Sequence, residues 1–83
     1  MKDLILLDPE TGKRENYGLI VKKRSVGSVP LWLTYDASNR MWWIVWQDDR
    51  VRMEGYREPR REICWTTFHE MNETRLAAHA ESA

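Results

Sequence analysis

The chain has 83 residues, with 13 Lys+Arg balanced by 13 Asp+Glu, five tryptophans and one cysteine. That length holds one domain, spanning 1–83, and excludes a two-domain enzyme. The charge balance argues against a surface tuned throughout to a polyanion or an anionic membrane, and Cys64 alone cannot build an intrachain disulfide framework.

The first strand is expected over 3–7, where Leu4-Ile5-Leu6-Leu7 is stopped by Asp8-Pro9. This run is far shorter than a signal-peptide core or the roughly 20 apolar residues of a membrane span, so the expectation is a cytoplasmic protein that does not enter a membrane. Asp8-Pro9-Glu10-Thr11-Gly12 reads as a turn, because proline presets φ and glycine admits a positive φ. A second strand over 17–23 sets Tyr17, Leu19 and Val21 on one side and Gly18, Ile20 and Lys22 on the other. Ser25-Val26-Gly27-Ser28 breaks it, and Pro30 marks the loop's exit.

Strands over 31–35, 40–47 and 51–56 follow, joined by Asp36-Ala37-Ser38-Asn39 and Asp48-Asp49. Ile63, Trp65 and Thr66 favour a short sixth strand over 62–66 by their β-branched and aromatic character. Thr67-Phe68-His69-Glu70 fits a capping box that opens a helix over 67–80 with a thin apolar stripe; a competing reading starts that helix at Pro59. The expected fold is α+β: an antiparallel meander sheet of five or six strands, open or curled toward a small, partly closed barrel, with one C-terminal helix.

The stretch Arg40-Met41-Trp42-Trp43-Ile44-Val45-Trp46-Gln47 is apolar on both faces of its strand. A four-residue turn at 36–39 and a two-residue turn at 48–49 set Leu33 opposite Trp42, Leu31 opposite Ile44, Val51 opposite Trp46 and Met53 opposite Ile44. One face then collects Leu31, Leu33, Tyr35, Trp42, Ile44, Trp46, Val51 and Met53, as a core-facing surface should. The other carries Trp32 opposite Trp43, Thr34 opposite Met41, Arg52 beside Val45, Glu54 beside Trp43 and Tyr56 beside Met41. Large rings interleaved with charges suit the centre and rim of a protein contact, so Trp32, Met41, Trp43, Arg52 and Tyr56 form the expected partner-binding set. The competing structural reading has the helix or the remaining strands close over this face.

Chemical motifs are sparse. His69-Glu70 lacks the second histidine of a zincin, and His69 with Glu73 offers only a weak helical pair without a third ligand. Cys64 could serve as a nucleophile if Arg60, Arg61 or His69 lowered its pKa, but a lone cysteine in apolar company is ordinarily a core residue. No Gly-x-Ser-x-Gly elbow, P-loop or dinucleotide fingerprint is present. Asp48-Asp49 read as turn residues, and Asn72-Glu73-Thr74 as a chance match to the glycosylation triplet. No catalytic residue, metal or cofactor is therefore expected.

The five arginines of 50–61 are cancelled by five acids in 48–62. Lys22-Lys23-Arg24, extended by Arg40, is the better basic patch, with Trp32 and Trp43 as stacking platforms. The expected function is a non-enzymatic protein-binding module: a small adaptor, or an inhibitor of the kind that compact phage proteins supply, by analogy of size. Its partner is another protein, or a second copy in a homodimer. The alternative is a single-stranded nucleic-acid-binding domain using Lys22-Lys23-Arg24 and tryptophan stacking.

Overall fold

The computed structural model of the chain describes residues 2–7, 11–47 and 53–82, with side chains at all of these except 47, 53–56 and 79–82. Five strands, β1 (Asp3–Leu7), β2 (Arg14–Val26), β3 (Val29–Asp36), β4 (Met41–Gln47) and β5 (Met53–Glu58), precede two helices, α1 (Arg61–Glu70) and α2 (Glu73–Ser82). The strands form one antiparallel sheet in the order β1-β2-β3-β4-β5, an unclosed meander in a small α+β domain. Among the described residues no helix is long and apolar enough to cross a membrane.

The central register follows from the turns. β2 and β3 meet at Val26↔Val29 across the two-residue turn Gly27-Ser28, where Gly27 takes φ 60°, as primed hairpin turns demand. Both strands therefore run to the turn itself, and Pro30 sits inside β3 opposite Ser25. β3 and β4 close at Asp36↔Met41, so their four-residue turn is 37–40, one place later than expected, and Arg40 belongs to it with φ 52°. Leu33 consequently pairs with Ile44 and Leu31 with Trp46. A shift of two leaves every side chain on its expected face.

The β4–β5 pairing differs more. Gln47 pairs with Met53, so five residues separate the strands in place of the two expected, and Ile44 pairs with Tyr56, Trp46 with Glu54, Val45 with Gly55 and Trp43 with Arg57. An odd shift moves each β5 position to the opposite face of the sheet. Tyr56 takes the parity of Ile44, not of Met41, and Glu54 that of Trp46, not of Trp43. Val51 and Arg52 lie outside the described residues.

β2 breaks strict alternation twice. The register against β1 jumps between Asp3↔Leu19 and Ile5↔Asn16, and that against β3 between Ile20↔Thr34 and Lys22↔Leu33, which leaves Val21 as the extra residue. At the first bulge Gly18 has φ 101°, and a Cβ there would overlap the Tyr35 carbonyl. Only glycine meets both conditions.

The expected sixth strand is absent, because 61–70 are helical. Cys64 and Phe68, spaced i and i+4, present one stripe to the sheet, and Met71 and Leu76 continue it. The contacts of that stripe with Leu31, Leu33, Ile44 and Trp46 outweigh the β-propensity of Ile63 and Thr66. The competing reading, a helix starting at Pro59, is closer to the structure than the one expected over 67–80, although α1 starts two residues later, at Arg61, with Arg60 as its N-cap. Thr67 lies within α1 and forms no capping box. The single expected helix is two, divided at Met71-Asn72, where the Asn72 side chain accepts from Arg75 N (2.9 Å) and caps α2.

Arg24 ties β2 to this corner. Its Nη1 donates to the carbonyls of Phe68 (2.9 Å), His69 (3.3 Å) and Met71 (2.9 Å). These are orphan acceptors at the C-terminal end of α1, where a cation is favoured.

Candidate protein-binding face

Both helices and the main cluster of Val26, Leu31, Leu33, Ile44, Trp46, Cys64, Phe68, Met71 and Leu76 occupy one side of the sheet. The opposite side is built from Trp32 and Thr34 of β3 and Met41, Trp43 and Val45 of β4, with Trp32 paired to Val45 and Thr34 to Trp43. The large members, Trp32, Met41 and Trp43, are partly buried, whereas Thr34 and Val45 are fully buried. The small residues thus lie beneath rings that themselves keep part of their surface in solvent.

Tyr17 extends the aromatic layer, its ring meeting that of Trp43 edge-on at 5.7 Å, a favoured quadrupolar arrangement. The Thr34 hydroxyl donates to the Tyr17 carbonyl (2.7 Å), which answers the polar atom buried below the rings. Cations form the rim. Lys23 Nζ stands 5.4 Å from the centre of the Trp32 ring, within cation–π range, and the exposed Arg57 pairs with Trp43 across the ladder.

Of the five residues expected here, Trp32, Met41 and Trp43 are brought together. Tyr56 occupies a register position of the other face, and Arg52 lies outside the described residues. Tyr17 and Arg57 join in their place. Glycine inside a strand signals a bulge, so Gly18 was the clue to Tyr17; Arg57 depended on the length of the β4–β5 connection, which Asp48-Asp49 conceals by resembling a complete turn.

The basic run does not form one surface. Lys23 faces Trp32, while Lys22 lies on the helical side, with Nζ 5.3 Å from the Trp65 ring centre and 3.2 Å from His69 Nε2. Arg24 is engaged by the α1 carbonyls. Arg61 also stands over Trp65, at 5.1 Å, beside a shallow cleft of about 270 Å³.

Cys64 is fully enclosed, and burial, reinforced by the Glu58 carboxylate, pushes its thiol from 9.0 up to about 12. An activated nucleophile needs the reverse, a cationic and accessible setting. His69 and Glu73 fall on different helices, and among the described residues no group of three His, Cys, Asp or Glu could hold a metal ion. Comparison with protein-family models, curated proteins and solved structures finds no match to this chain.

Proposed function

We propose that the chain is a non-enzymatic protein-binding module, an adaptor or inhibitor, that docks through Trp32, Met41, Trp43 and Tyr17. The observation that carries this reading is the placement of the helices on one side only, while the tryptophans of the other side retain solvent-facing area above an already buried layer. Rings of this size bury about 150–250 Å² each, and aromatic residues with arginine at a desolvated centre are the usual energetic anchors of an interface. Lys23 and Arg57 at the rim select the partner's chemistry: an apolar segment flanked by carboxylates.

The test is capture of a partner from cells that express the chain, identification by mass spectrometry, and calorimetry with the purified pair. Trp43→Ala is expected to weaken binding by more than about 2 kcal/mol, roughly 30-fold, with an unchanged far-UV circular dichroism spectrum and weak dependence on salt. A Trp43→Ala protein that folds and binds its partner as well as the wild type would overturn the reading. Tight binding of a thymidine oligonucleotide that collapses as salt rises would transfer the face to single-stranded nucleic acid.

A further inference from the structure

The strongest feature outside that face is the free edge of β1. Its residues alternate, with Leu4 buried and Leu6 half-buried against Ile5 and Leu7, which are 53% and 58% exposed. Among the described residues β1 has one neighbour in the sheet, β2. The Lys2 carbonyl accepts from Ile20 N (2.9 Å), so it faces β2. Strand alternation then turns the backbone groups of Asp3, Ile5 and Leu7 toward the open side. Edge strands in stable proteins are usually guarded by lysine, proline or an inward charge, yet residues 4–7 are all apolar.

We propose that β1 pairs antiparallel with β1 of a second copy of this chain, joining two five-stranded sheets into one. A second copy fits better than a foreign strand because the segment is self-complementary. A two-fold axis at Leu6 sets Ile5 of each copy opposite Leu7 of the other, so the exposed apolar side chains of both strands shelter one another as cross-strand pairs. The same pairing lets the outward amides and carbonyls of Ile5 and Leu7 exchange hydrogen bonds.

The two-fold brings Asp3, whose carboxylate accepts from Asn16 Nδ2 of its own chain (3.3 Å), toward the end of the partner's β1 where Arg14 pairs with Leu7. The interface uses the sheet edge and leaves Trp32 and Trp43 free, so it goes beyond the docking function and does not depend on it.

Light scattering and sedimentation across a dilution series test this. The wild type is expected at about 20 kDa, twice the 10.0 kDa of one chain, and the double variant Ile5→Lys, Leu7→Lys at 10.0 kDa with its circular dichroism retained. Trp43→Ala should stay dimeric, which separates this interface from the docking face. Leu6→Cys, on the axis, should oxidise to a covalent dimer, whereas Asp3→Cys should not. Should the lysine variant fail to fold, amide exchange on the wild type decides: Ile5 and Leu7 are protected in the dimer and exchange freely at a bare edge. A monomeric wild type, or a dimer that survives both lysines, overturns the proposal.

Discussion

The Cys64 thiol, enclosed under α1 and beside the Glu58 carboxylate, holds its proton up to about pH 12. Glu58 is itself fixed, since its Oε1 accepts from Arg60 N (3.1 Å) and Arg60 Nε (2.8 Å). In the native protein at pH 8, iodoacetamide should therefore leave Cys64 unmodified, and urea should expose it at the rate of unfolding, as mass spectrometry will show. The sign of the linkage follows from the raised pKa: the contribution to stability is complete below about pH 9 and is lost as pH climbs toward 12, because the unfolded thiol ionises first. Cys64→Ala should lack that part of the alkaline decline in the urea midpoint. The sequence already pointed to an inert, apolar-packed cysteine; the carboxylate neighbour comes from β5, whose register its own residues do not specify.

The junction of β2 with α1 depends on one side chain. Arg24 supplies a charge-assisted donor to three carbonyls that the helix leaves unpaired, and hydrogen bonds to charged groups contribute about 1.5–3 kcal/mol each in favourable cases. Arg24→Met keeps much of the apolar stem and removes the donors, so it should lower stability by about 2 kcal/mol, measured as a fall in the urea midpoint with unchanged slope. In sequence, Arg24 is the last of three basic residues and carries no mark of this role. The elements themselves were unevenly legible. β1, β3 and β4 are readable because apolar patterning and turn chemistry agree with one another, whereas the two bulges of β2 give Leu19 and Lys22 the parity of the helical side and set Tyr17 against Trp43 on the other, overturning the strict alternation expected over 17–23. Residues 62–66 read as a strand because Ile63, Trp65 and Thr66 favour one locally, whereas the i, i+4 pair Cys64 and Phe68 gains more by closing over the sheet as part of α1.

The whole molecule is a one-sided sandwich, and its two sheet faces should respond differently to truncation. Phe68 is almost wholly buried between α1 and the sheet, and Phe68→Ala should cost about 3–5 kcal/mol. Small domains have only about 5–15 kcal/mol in all, so thermal unfolding followed by circular dichroism should shift by tens of degrees or vanish. Trp43→Ala, on the side without helices, should retain most of that transition. A comparable loss in both variants would place Trp43 in the stabilising core.

Residue type and spacing were enough to establish a small α+β domain, an antiparallel meander and a β4 strand apolar on both sides, because these rest on local periodicity and turn preference. They also placed Trp32, Met41 and Trp43 on a common face, since a register shift of two preserves parity. Tertiary structure alone decided the parity of β5, the choice of helix over strand for 62–66, the use of Arg24 as a cap and the division of Lys22 from Lys23. Each of those depends on which distant groups become neighbours. Five residues of connection or one bulge can reverse that outcome without altering any local preference.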